Sequence, residues 1–135
     1  MRMSNLNLGL GHIGIIVKDL EVSKKFYCDN LNFAVTHENT LGDNDSVTKI
    51  AFVEAGGCTL ELIQIPGDSK RIDGQVDHIA FKVTDIENAW MQLKARGIIF
   101  ETENITTAPA FFEKGDRWIL FRGPDGERLE INEIL

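Results

Sequence analysis

Two segments of this chain carry the same pattern, and that duplication limits the folds open to it. Residues 11–21, with His12, Ile13, Val17, Asp19 and Glu21, return as residues 77–87 with His78, Ile79, Val83, Asp85 and Glu87, at a constant offset of 66. Residues 57–65, with Gly57, Leu60, Glu61 and Ile65, return as residues 126–134 with Gly126, Leu129, Glu130 and Ile134, at an offset of 69. Each half therefore opens on a histidine and closes on a glutamate. Internal self-similarity at fixed spacing means one supersecondary unit used twice. The expected organisation is a single domain over 1–135 made of two modules, 10–65 and 76–135, joined by a connector at 66–75 that holds Pro66, Gly67 and Gly74 and has no apolar periodicity.

Within each module the pattern reads β-α-β-β-β, an α+β class. Residues 11–17 form a β-branched apolar run, as in a buried strand. Asp19 suits a helix N-cap, and the helix is expected to end near Asp29 or Asn30. Residues 31–36 read as a short strand, 37–46 as a polar loop, and 47–54 and 58–65 as a hairpin turning at Gly56 and Gly57. In the second module, 76–83 is the first strand. Thr84-x-x-Glu87 then reads as a capping box, and Ile86, Ala89, Trp90 and Leu93 form one helix face that ends before Gly97. Strands at 98–102, 117–122 and 127–134 follow, with a loop at 103–116 carrying Phe111 and Phe112 and a tight turn over 123–126.

The 135 residues carry a formal charge of -7 with no Lys/Arg cluster, which argues against nucleic acid or an anionic membrane as partner and favours small molecules. The first ten residues do not read as a signal peptide, nothing approaches a membrane span, and Cys28 and Cys58 lack metal or redox spacing. A cytoplasmic protein with reduced thiols is expected.

Strand side chains alternate faces, so His12, His78, Glu61 and Glu130 each stand opposite an apolar row such as Leu60 and Leu62, or Leu129 and Ile131. A lone histidine in a strand is more often a packed or surface residue, and a lone glutamate is usually solvated. Four such residues at equivalent positions of a repeat point instead to a divalent metal, because buried unpaired carboxylates are costly without a cation. Nitrogen and oxygen donors without thiolate suit Zn, Ni, Co, Mn or Fe. His37 has no counterpart in the repeat and is read as a surface residue.

The set His12, Glu61, His78 and Glu130, spaced by 49, 17 and 52 residues, resembles the ligand pattern of the vicinal oxygen chelate superfamily, and most of all its glyoxalase I-like members. The paired modules, Asp19-Leu20-Glu21, and Gly123-Pro124-Asp125-Gly126 with Glu130 four residues on, belong to the same resemblance. That resemblance covers nearly the whole chain. It implies two curved sheets forming a partly open mixed barrel around one divalent metal held by His12, Glu61, His78 and Glu130. It also implies a homodimer, a small-molecule substrate chelated through two oxygens, and proton transfer beside a carbonyl through an enediolate-type intermediate, with Glu130 or Glu61 as catalytic base. Arg128, Phe111 and Phe112 are the expected substrate contacts.

Relatives within that group set the alternatives. A reading similar to methylmalonyl-CoA epimerase needs a second carboxylate, for which Glu38 is the candidate. Fosfomycin-modifying relatives use two histidines and one glutamate, so Glu61 argues against them. A non-catalytic protein of the bleomycin-resistance type would hold its ligand between aromatic residues. Glutathione-dependent glyoxalase I usually carries an arginine four positions after the first ligand, where this chain has Ile16.

Overall fold

The duplicated residues act first at the junction between a strand and a helix. Val17 N–H donates to the Ile63 carbonyl at 2.8 Å, and Val83 N–H donates to the Asn132 carbonyl at 2.9 Å. Two residues on, Asp19 caps one helix through Oδ1, which accepts from the Glu21 and Val22 amides at 3.0 and 3.3 Å. Asp85 caps the other by accepting from the Asn88 amide at 3.2 Å. A side chain from the last strand of each half reaches the same place: Gln64 Oε1 accepts from the Leu20 amide and Glu133 Oε1 from the Ile86 amide. The first turn of a helix leaves its amides without intrahelical partners, and these four side chains satisfy several of them. Asp85 rather than Thr84 is the cap, so the expected capping box does not form, and Glu87 instead meets Arg117 Nη2 at 2.7 Å.

The structure is a computed structural model that describes residues 10–67, 72–74, 76–109 and 111–135. The lead-in at 1–9 and parts of the 66–75 connector lie outside the described residues. The chain divides into two units, Met1–Ser69 and Lys70–Leu135.

In the first unit, β1 (Ile13–Ile16), α1 (Leu20–Leu31), β2 (Ala34–Leu41), β3 (Thr48–Ala55) and β4 (Cys58–Gln64) make a mixed sheet of order β1-β4-β3-β2, with β1 parallel to β4 and the other pairs antiparallel. In the second, β5 (Ile79–Lys82), α2 (Ile86–Ala95), β6 (Thr106–Ala108), β7 (Asp116–Arg122) and β8 (Arg128–Ile134) repeat it as β5-β8-β7-β6. The class is α+β, and neither sheet closes on itself. One face of each sheet makes the core with its helix. Leu60, Leu62, Ala51 and Val53 lie buried with Tyr27 of α1, and Leu129, Ile131, Ile119 and Phe121 lie buried with Ile86 and Leu93 of α2. A parallel pair needs a crossover of a dozen residues or so, which α1 and α2 begin.

Several boundaries differ from the sequence reading, among them the start of β5 at Ile79 rather than residue 76. Helix α1 runs on to Leu31, and β2 occupies Ala34–Leu41, taking in His37 and Glu38 that had read as loop. Every residue of β2 is exposed; it is a polar edge strand whose ladder with β3, not its own side chains, defines it. The expected strand at 98–102 reduces to a bridge between Phe100 and Phe121 and a bond from the Glu101 amide to the Leu120 carbonyl, with Ile99 turned out to solvent. The strand that pairs the rest of β7 is β6, inside the expected loop.

Because Asp19 caps α1 through two of its first-turn amides, Asp19→Ala is expected to cost about 1 kcal/mol of stability, the usual value for losing an aspartate N-cap. Urea unfolding would show the midpoint falling with an unchanged slope.

Candidate functional site

Each unit brings one histidine and one glutamate together on the sheet face away from its helix. His12 precedes β1, and Glu61 stands in β4 with its Cα paired to Gly14. His12 Nε2 and Glu61 Oε1 are 3.3 Å apart. A Cβ at Gly14 would lie 3.8 Å from Glu61 Oε1, an ordinary contact distance, and the equivalent residue of the second half is Ala80. The second unit repeats the geometry. His78 precedes β5, Ala80 pairs with Glu130 of β8, and His78 Nε2 lies 3.4 Å from Glu130 Oε2. Among the described residues no three His, Cys, Asp or Glu side chains gather into a group that could hold a metal ion.

The surroundings of the two pairs differ. In the first unit the pair is bordered by an aromatic row: Phe52 lies opposite Glu61 in the β3/β4 ladder, and His37 lies opposite Phe52 in the β2/β3 ladder. His12 and His37 each stand near-perpendicular to the Phe52 ring, with centroids 5.5 Å away for His12 and 6.5 Å for His37. His37 is exposed, as expected, but it belongs to the same cross-strand row as Glu61 rather than to a loop. Glu38 faces the other way. It pairs with buried Ala51 and takes a hydrogen bond from Lys24 of α1, so the alternation of the strand sets it on the helix side of the sheet. It is not placed to serve His12 and Glu61 as a second carboxylate, which removes the residue on which the epimerase-like reading rested.

In the second unit the pair is tied into a charged network. His78 Nδ1 lies 2.7 Å from Asp77 Oδ2, and the same oxygen accepts from Arg128 Nη1 at 2.6 Å. The other edge of the Arg128 guanidinium meets Glu101 through Nε and Nη2 at 3.2 to 3.4 Å. Arg128 is thus engaged by two carboxylates rather than presented to a ligand. The hydrogen bond from His78, with the charge of Arg128, holds the Asp77 carboxyl below its ordinary range despite some desolvation. Burial pushes the Glu130 carboxyl up, Asp116 and Asp77 adding to this and His78 and Arg128 opposing it.

Trp118, one cross-strand step beyond Glu130, pairs with Asn132 and stacks on Phe111 with centroids 6.1 Å apart and planes 21° from parallel. Phe111 and Phe112 are both largely exposed, and Phe112 holds a left-handed backbone with φ of 58°. Strain of this kind in a bulky residue persists where surrounding structure requires it, often near a binding site. Sequence reasoning passed over Asp77, Glu101, Phe52 and Trp118. For Asp77 a signal was available, since the repeat has Gly11 at the equivalent position.

A duplicated, helix-backed mixed sheet that presents a His–Glu pair in each half defines the class of protein. The chain belongs to the Glyoxalase/Bleomycin resistance protein/Dioxygenase superfamily, whose family model matches residues 9–131. It is 34% identical to the uncharacterized protein YwbC of Bacillus subtilis over 90% of this chain and 94% of that one. Among solved structures it is similar to a glyoxalase family protein from Enterococcus faecalis, with TM-score 0.76 and 25% identity over 93% of this chain and 98% of that one. It is also similar to the fosfomycin resistance protein FosX of Listeria monocytogenes, solved with Mn(II) and sulfate, with TM-score 0.73 and 25% identity over 96% and 95% of the two chains.

Proposed function

We propose that His12, Glu61, His78 and Glu130 are the ligands of one divalent metal, and that the protein is a lyase or isomerase moving a proton beside a metal-chelated carbonyl of a small molecule. The observation that carries this reading is the chemistry of the two pairs. With its Nδ1–H given to Asp77, neutral His78 turns a lone pair toward a carboxylate oxygen 3.4 Å away, which is repulsive unless a proton or a cation lies between them. Two imidazoles and two carboxylates also balance the charge of a divalent ion, and their donor atoms suit Ni, Co, Zn, Mn or Fe. The Mn(II) in FosX adds support for including manganese.

When bound, the metal would supply a Lewis acid that polarises the carbonyl. Glu130 is the residue to take the proton. It is the more deeply buried of the two glutamates, and burial raises its carboxyl toward the range of an effective general base. Phe111 with its Trp118 stack, and Phe112, would offer an apolar wall to the substrate, while Arg128 acts at one remove through Asp77. A homodimer and a cytoplasmic location complete the reading; among the described residues no helix is long and apolar enough to cross a membrane.

Metal analysis of the purified protein tests it, followed by a turnover panel of small 2-oxo compounds, thioesters and fosfomycin with each metal. One metal per chain is expected, and His78→Ala should lower its affinity by more than the 10- to 100-fold typical of losing an outer partner of a ligand. A His78→Ala protein with wild-type stoichiometry and affinity would move the site elsewhere, and turnover of fosfomycin would overturn the argument from Glu61. The exposed Phe111 favours a second reading, a binding protein without catalysis. Tight ligand binding that is indifferent to chelators would select it.

A further inference from the structure

The two histidines occupy equivalent places in the repeat, yet among the described residues only His78 has a carboxylate on its Nδ1. His78 has Asp77 before it, and Asp77 Oδ2 lies 2.7 Å from Nδ1. His12 has Gly11 before it, where a Cβ would meet nothing within 4 Å. Arg128, which fixes Asp77 from the other side, is Thr59 in the first half at the offset that aligns Glu130 with Glu61. Arg128 is in turn anchored by Glu101, whose amide donates to the Leu120 carbonyl of β7 at 2.8 Å, so the support reaches back to the sheet.

We infer that Asp77 is a positioning residue: set by Arg128 and Glu101, it holds His78 in the Nδ1–H tautomer and aims the Nε2 lone pair to the side of Glu130, making the second half the pre-formed half of the site. A free neutral imidazole favours the opposite tautomer, with hydrogen on Nε2. Which nitrogen carries the proton is decided by the partner of the other one, and a carboxylate accepting from Nδ1 fixes both tautomer and ring orientation. The arrangement has little to do with holding the fold together. Asp77 is mostly exposed, and exposed ion pairs contribute little to stability. What it changes is where a lone pair points before any ligand arrives. Among the described residues the first half has no such device on His12 Nδ1, so the tautomer of His12 is left to be set when a ligand binds. The consequence for metal affinity rests on the metal reading above; the tautomer does not.

The test uses both. The protein has three histidines, so long-range nitrogen–proton correlation NMR of metal-free, 15N-labelled chain resolves each ring at alkaline pH, where the imidazoles are neutral. His78 is expected to show hydrogen on Nδ1 and a bare Nε2, and His12 the ordinary form. Asp77→Ala should return His78 to the ordinary tautomer with the amide spectrum otherwise unchanged. Asp77→Asn, whose side-chain oxygen can still accept from Nδ1–H, should largely keep it. Titration with Co(II), read by its visible absorption, should show Asp77→Ala weakened by about 10- to 100-fold and Asp77→Asn by less. Hydrogen on Nε2 of His78 in the wild type, or a tautomer indifferent to Asp77→Ala, overturns the inference. A wild-type chain that takes up no Co(II) while its tautomer follows Asp77 would end the metal reading and leave the positioning role standing.

Discussion

Glu130→Gln is expected to lower kcat by about 10² to 10⁴ on whichever substrate the panel identifies, with KM nearly unchanged, because an amide of the same shape cannot take a proton. A loss confined to kcat marks an interaction made in the transition state rather than in substrate binding. The same substitution has a second signature that needs no substrate. Burial raises the Glu130 carboxyl, so the fold favours its neutral form. The stability this group contributes is present below about pH 4.3, where an unperturbed glutamate titrates, and is lost as pH rises through the elevated folded value. Metal-free Glu130→Gln should therefore resist urea better than metal-free wild type at pH 7, and the gap should close on acidification. An unchanged kcat at normal metal load would pass the role of base to Glu61. A gap that stays constant with pH would mean that the carboxyl is not perturbed by its surroundings.

The features that the sequence made legible are those written locally and written twice. Asp19 and Asp85 cap helices, Leu60 with Leu62 and Leu129 with Ile131 alternate into the core, and from that alternation Glu61 and Glu130 belong on the opposite face. The structure brings each glutamate beside the histidine of its own half, 49 and 52 positions away, whereas the repeat pattern suggests all four around one metal. What escaped depends on the partner rather than on the segment. The polar stretch of β2 is a strand only because β3 supplies its ladder, and the irregularity between Val35 and His37 decides that His37 joins Phe52 while Glu38 turns to Lys24. Residues 98–102 have the composition of a strand, but past Glu101 the chain leaves β7 and rejoins it only at Thr106. The network behind His78 joins Asp77 to Arg128 and Arg128 to Glu101, at separations of 51 and 27 residues, and no local pattern announces such pairs.

The hemithioacetal of glutathione and methylglyoxal should be a poor substrate, and the reason lies in one residue of β1. By strand alternation Ile16 shares the face of His12 and Gly14, and it is 47% exposed there. This is the position where glutathione-dependent glyoxalase I usually has an arginine for a glutathione carboxylate. Its ladder partner is Ile63, so the neighbouring position on β4 is apolar as well. Arg128 does not replace the missing cation, because Asp77 and Glu101 already occupy its guanidinium. Losing one partner of a guanidinium–carboxylate contact costs roughly 2 to 5 kcal/mol, about 30-fold to several thousand-fold in affinity. Steady-state kinetics of the metal-reconstituted enzyme should then give kcat/KM below about 10⁴ M⁻¹s⁻¹, the lower edge of the usual range for a native substrate. Ile16→Arg should raise that value without altering metal affinity, since the new side chain would stand beyond the His–Glu pair. A wild-type kcat/KM above about 10⁵ M⁻¹s⁻¹ would show that glutathione is recognised without a cation on β1, and would make the hemithioacetal a native substrate after all.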